Sequence, residues 1–217
     1  MASRRTRILI IGSKNFSSWS LRAWLALKAA NLPFEERVVL PGTPRGEDDL
    51  LSLSPTGLVP CLMEGDLIVW DSLAIIEHVA DLFPDLGLWP QDRSARAVAR
   101  SVSAEMHSGF KTLRDIWPMN FTARGLTEHG SPALERDIAR IDAIWRDCRE
   151  RFGQGGPFLF GQFSAADAMF APVASRFTTY RGATNDPVID DYVATLMDMK
   201  PMREWAEGAA AEMARAA

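Results

Sequence analysis

Three short stretches of the 217-residue chain carry residue types that together describe a receptor for a small zwitterionic peptide. Val59-Pro60 stands at the start of a strand-like run. A proline there cannot donate to a ladder, and the usual way to keep one is a turn, a bulge or a cis bond. Val59 then presents its own N–H and C=O outward, where an extended peptide can pair with them as an added strand would. Asp71-Ser72 opens a helix, so the free N–H groups at Ser72 and Leu73, with the Ser72 hydroxyl, form an anion site. Asp71 beside them can hold an ammonium. Ser72 is equally the ordinary cap of a helix, a position where serine is common anyway. Ser17 and Ser18 precede another helix start, where hydroxyl and dipole both favour a nearby anion.

The elements that must position these groups follow from the pattern. Val59–Met63 and Leu67–Trp70 flank Glu64-Gly65-Asp66 and read as an antiparallel hairpin. Arg7 to Gly12 is a strand covered on both faces, Ser13 to Ser20 a polar loop, and Leu21, Trp24, Leu25 and Lys28 a helix that Asn31-Leu32-Pro33 stops. Phe34 to Leu40 is a second strand, Pro41 to Arg45 a loop and Glu47 to Leu53 a short helix. The order βαβ, then ββα, predicts a four-stranded α/β unit over residues 1–83, in which the first strand lies beside the third and the serine loop faces Val59. Residues 84–91, with two prolines and a glycine, read as a linker. From 92 to 217 everything reads as helix: Asp92 to Trp117, Pro132 to Phe152, Ser164 to about Tyr180, Pro187 to Met197, and Pro201 onward. Ser164 and Asp167 form a capping box, and the helix they start is apolar nearly all round, with a kink expected at Pro172.

Composition bounds the function. With 47% hydrophobic and 24% charged residues the chain is an ordinary globular protein, and its net charge of -4 argues against a nucleic-acid surface. No apolar run approaches the length of a bilayer span. The basic MASRRTR start leads into a strand rather than a signal segment, so the cytoplasm is the expected compartment. Cys61 and Cys148 are far apart in sequence and support neither a disulfide framework nor a dithiol motif. His78, His107 and His129 make no ligand-spaced cluster with them, so no metal is expected.

In this order and spacing, Ser17-Ser18, Val59-Pro60, Asp71-Ser72 and the Ser164/Asp167 box make the chain resemble a cytosolic glutathione transferase. The resemblance implies a thioredoxin-like N-terminal domain and an all-helical C-terminal one that carries the electrophile pocket. Glutathione is then the peptide: Val59-Pro60 meets its cysteinyl part, Asp71 and Ser72 hold the γ-glutamyl end, and Ser17 or Ser18 donates a hydrogen bond to the sulfur. A hydrogen bond to a charged acceptor contributes about 1.5–3 kcal/mol, or roughly one to two pKa units, enough to bring a thiol close to neutral. No protein base is then needed.

Ser17-Ser18-Trp19-Ser20-Leu21-Arg22 resembles the SSCSWR signature of zeta-class enzymes, with Trp19 in place of its cysteine. Ser103 to Phe110 is similar to the SELHKGF-like segment of bacterial beta-class transferases. Carried over, Glu105 reaches the γ-glutamyl amine bound by the neighbouring subunit of a homodimer, and His107 sits near the thiol; beta-class enzymes place a cysteine in the first loop, which this chain lacks. Met106, Phe110, Arg114 and Trp117 are expected to line the electrophile pocket, although the same spacing also suits packing. The resemblance implies conjugation of small hydrophobic electrophiles, as in detoxification. The alternatives are a glutathione-dependent isomerase of maleylacetoacetate or maleylpyruvate type, which needs an arginine-lined pocket, and a non-catalytic binding protein.

Overall fold

The computed structural model describes residues 6–40, 44–128 and 130–216. The basic N-terminal residues 1–5, residues 41–43 of the loop expected at 41–45, His129 and Ala217 lie outside them. β1 (Arg7–Ile11) buries its last three side chains and leads through Gly12 into the serine loop. α1 (Ser18–Ala29) returns the chain, stopped where Asn31 turns left-handed at φ 52°, and β2 (Glu35–Val38) pairs parallel with β1. α2 (Pro44–Leu53) starts earlier than the sequence pattern suggests. β3 (Cys61–Glu64) and β4 (Leu67–Trp70) form the hairpin, with Gly65 in the left-handed position its turn requires. The sheet order is β2-β1-β3-β4, with β3 antiparallel to β1, and α3 (Ser72–Leu82) closes this thioredoxin-like layer. The Val59-Pro60 bond is cis, and the ladder begins at Cys61, after the residue that has no N–H to give.

A short 3₁₀ turn over Pro84–Leu86 leads to the helical half. Here one expectation is corrected. The single helix expected from Asp92 to Trp117 is two, α4 (Arg93–Ser108) and α5 (Lys111–Ile116), with Phe110 left-handed at φ 56° between them. A Cβ at Gly109 would come within 2.8 Å of the Glu105 carbonyl, so the cap of α4 admits only glycine, and the chain turns there. α6 (Pro132–Phe152) and α7 (Ala165–Arg176) follow. α7 is buried along its whole length and runs on through Pro172, then loosens into a π turn over Phe177–Arg181 where regular helix was expected. α8 (Pro187–Asp198) and α9 (Lys200–Ala216) complete the chain.

One hydrophobic cluster runs through both halves. It takes Leu9, Trp24 and Ile76 from the first and Met106, Trp145, Phe170 and Trp205 from the second. α1 is the hinge of this packing, set between α3 and α7. The serine loop therefore stands where the sheet, the central helix and the end of the chain meet.

Candidate functional site

Ser17 caps α1, and its surroundings are built from three hydroxyl and amide groups. Its Oγ accepts from the Ser20 N–H at 3.3 Å and lies 2.7 Å from the Ser20 Oγ, which in turn accepts from the Gly12 N–H at 3.0 Å. Gly12 is where loop and hairpin converge. A Cβ there would sit 3.1 Å from Val59 Cγ2 and 3.2 Å from Ser17 Cβ, so the close approach of Ser17 to Val59 depends on a residue without a side chain. Among the described residues neither the N–H nor the C=O of Val59 takes part in a hydrogen bond. Ser17 and Val59 both line a cleft of about 850 Å³; Ser18 is buried behind it.

Asp71 caps α3 from a left-handed backbone, φ 76°. Its Oδ1 accepts from the Leu73 and Ala74 N–H groups at 2.9 and 3.2 Å. The expectation of a free Leu73 N–H is thereby corrected, because the neighbouring carboxylate already takes it. What remains open is the Ser72 hydroxyl, fully buried and without a partner. Asp71 Oδ2 meets His107 Nε2 at 3.3 Å, and the His107 ring stands edge-on to Trp19 with centroids 5.2 Å apart. His107 thus reaches Asp71, the residue at the proposed γ-glutamyl end, and its Nδ1 is buried without a partner.

A cationic cluster lies beneath. Arg22 is fully buried, lies over the Trp19 ring at 4.4 Å, and none of its three guanidinium nitrogens has a partner. Burial, with the nearby positive charges of Arg176 and Arg114, pulls its pKa down to about 9, against which Asp71 acts. Arg176, also buried, donates to the Trp117 and Pro172 carbonyls at 2.7 and 3.2 Å; burial lowers it to about 10. Uncompensated buried charge is costly, and strongly perturbed groups of this kind mark candidate functional sites.

The sequence matches the profile described as "Glutathione S-transferase, N-terminal domain" over residues 16–82 and the C-terminal domain of the same family over 131–208. It is 31% identical to glutathione S-transferase GstB of Escherichia coli over 150 residues, 67% of this chain and 68% of that one. To glutathione S-transferase Z2 of Arabidopsis thaliana it is 33% identical over 163 residues, 72% and 70% of the two chains. The chain belongs to the glutathione S-transferase family. The match to glutathione S-transferase 1 of Dianthus caryophyllus, at 33% identity, takes in 56% of this chain and 55% of that relative, so the chain spans about half the length of some curated relatives it matches. A glutathione transferase homologue from Burkholderia, solved with bound glutathione, shares the fold at a TM-score of 0.70 and 22% identity, covering 94% of this chain and 98% of that one.

Not every residue expected to act in this transferase family member reaches the cleft. Glu105 is tied to Arg140 of its own chain by two hydrogen bonds, 2.7 and 2.8 Å. Met106, Phe110 and Trp117 are packed in the hydrophobic core, and Trp117 stacks on Tyr180. Arg114 donates to the carbonyls of Met106, His107 and Gly109, closing the break between α4 and α5. The apolar wall of the cleft is instead Phe16, Val38, Leu40, Val59 and Met213. α9 also supplies Glu212, whose carboxylate accepts from the Ser13 hydroxyl at 2.8 Å and from the Lys14 and Asn15 N–H groups. The only sign of that contact in the sequence is the run Gly208-Ala209-Ala210-Ala211, since a Cβ at 208 would come 2.5 Å from Lys14 Cδ. Among the described residues no group of three His, Cys, Asp or Glu side chains is gathered to hold a metal, and no helix is long and apolar enough to cross a membrane.

Proposed function

We propose that this family member conjugates the glutathione thiolate to small hydrophobic electrophiles. The peptide lies extended against the Val59 main chain, with its γ-glutamyl ammonium at Asp71 and its carboxylate at the Ser72 hydroxyl. Its sulfur rests against Ser17. The observation that carries this reading is the meeting of Ser17 and the Val59 side chain across Gly12 at one cleft, with the Val59 N–H and C=O left unpaired. Of the two serines, Ser17 is assigned because Ser18 is buried.

The chemistry is the supply of a thiolate. One hydrogen bond from Ser17 to the charged sulfur is worth about 1.5–3 kcal/mol, roughly one to two units of thiol pKa. The positive end of α1 adds to it. The electrophile packs against Phe16, Val38, Leu40 and Met213, whose exposed or half-exposed apolar surface suits an uncharged ring. The exposed side chains Leu67, Trp70 and Leu82 support a homodimer. The two cysteines, both free and buried, fit a reducing, cytoplasmic setting. The test is the pH dependence of conjugation with a chloronitrobenzene, wild type against Ser17→Ala. A turnover pKa raised by one to two units supports the reading; an unmoved pKa removes Ser17 from the mechanism, and no turnover by the wild type favours a binding protein.

The arginine cluster favours one second reading, a glutathione-dependent isomerase of a maleyl-type diacid. Arg22 has an unspent guanidinium, and Arg114 and Arg176 add positive charge around it. Under this reading Arg22→Met abolishes turnover of a maleyl diacid and leaves chloronitrobenzene conjugation intact.

A further inference from the structure

We infer that Ser20, rather than a charged group, is the residue that makes Ser17 a one-way hydrogen-bond donor. The inference rests on the reading of Ser17 as the sulfur's partner and concerns how that hydroxyl is aimed. The 2.7 Å contact between the two hydroxyls can run in either direction. Burial decides between them. Ser20 is fully buried and its Oγ already accepts from the Gly12 N–H. If Ser17 donated to it, the Ser20 proton would be left in the interior with no acceptor, since its Oγ makes no contact beyond Gly12 and Ser17. A buried donor left unmade is strongly disfavoured. With Ser20 as donor every group is matched.

The consequence falls on Ser17. Its oxygen then accepts twice, from the Ser20 N–H and the Ser20 O–H, and both lone pairs are occupied. Its own proton has one place left to go, outward into the cleft lined by Val59. A hydroxyl so fixed can stabilise a thiolate and cannot accept from a thiol, so it discriminates between the two protonation states of the sulfur. Accepting from Ser20 also polarises the Ser17 O–H and strengthens what it donates. Ser20 is a positioning residue: it touches Ser17, not the substrate.

The experiment titrates the ultraviolet thiolate absorbance of glutathione bound to the full chain, in wild type, Ser17→Ala, Ser20→Ala and the double variant. Ser20→Cys is included as a variant that keeps the volume and a weak donor. The other charged groups at the cleft, Lys14, Glu36, Glu212 and Arg215, and the Asp71 and His107 pair are the same in all of them. Expected is a bound-thiol pKa raised by about one unit in Ser20→Ala, hence roughly ten-fold less thiolate below that pKa. Ser20→Cys falls between, glutathione affinity stays within about two-fold, and the double variant is no worse than Ser17→Ala. A shift in Ser17→Ala with none in Ser20→Ala or Ser20→Cys overturns the relay and leaves the assignment of Ser17 standing. No shift in Ser17→Ala overturns both. Additive shifts in the double variant show that Ser20 acts by some route other than Ser17, and so also overturn the relay.

Discussion

Two helix starts in this molecule use the same residue types to opposite ends. At α7, Asp167 is fully buried and its carboxylate accepts from the Leu159 N–H at 3.1 Å, the Ser164 N–H at 2.8 Å, and the Ser164 and Tyr192 hydroxyls, both at 2.9 Å. Burial still pushes that carboxyl above its ordinary range, against the pull of those four donors. At α3, Asp71 takes two amides and His107 from a left-handed backbone, and Ser72 beside it keeps a buried hydroxyl with nothing to bond. Polar groups sealed into mutual bonds are scaffold. A buried polar group left with spare capacity is a feature to explain, and under the proposed function Asp71 and Ser72 spend theirs on glutathione.

The sharpest way to break the comparison is at α7. Asp167→Ala strands four buried donors at about 1–3 kcal/mol each, although such losses overlap. We expect a net loss of about 3–5 kcal/mol and a melting point lowered on the order of 10 °C, with an unchanged Michaelis constant for glutathione in the protein that stays folded. A loss under about 1 kcal/mol in urea unfolding would mean that the sealed network is not scaffold. At α3 the weight shifts to binding. Asp71→Ala is expected to raise the Michaelis constant for glutathione about ten- to hundred-fold, against a cap loss of only about 1 kcal/mol in stability. Ser72→Ala narrows the test to one atom: glutathione weakens about two- to ten-fold, while stability stays within about 0.5 kcal/mol or improves, because no bond is lost in the free protein. A stability loss as large as that of Asp71→Ala would show that the hydroxyl has a structural partner after all.

A change expected to raise stability rather than lower it concerns Arg22. Its pKa, about 9 in the folded chain, lies below that of the same group in the unfolded one, so between the two values the unfolded state binds the extra proton. Stability contributed through this group therefore rises with pH across that window, and at neutral pH its charge opposes folding. Arg22→Met should be more stable than wild type near neutrality, with the difference narrowing as the pH rises above 9. Denaturation midpoints of the two proteins on either side of that pH decide it.

Local features of the fold were readable in the residues, and long-range ones were not. Gly65 and the Val59-Pro60 pair announce the hairpin because turn and ladder chemistry act over a few residues, and Ser164 with Asp167 announces its helix for the same reason. The break at Gly109-Phe110 is hidden, since a lone glycine in a helical pattern is tolerated, and what settles the matter is Arg114 reaching back to three carbonyls. Met106, Phe110 and Trp117 show how helical spacing fails to tell a pocket from a core. The apolar wall that faces the cleft is assembled from the loop, β2 and α9, residues with no common period. Arg22 sits in an apolar helix stretch where an arginine ordinarily snorkels to water; in the fold it is fully buried on a helix packed against α7.

The grip of Glu212 on the main chain of Lys14 and Asn15 has a consequence for synthesis. The carboxylate that steadies the serine loop is translated nearly two hundred residues after it. At about 5–20 residues per second, that interval is roughly 10–40 s. During translation the nascent chain therefore carries its serine loop without this brace, and the loop gains its full support only once α9 has docked.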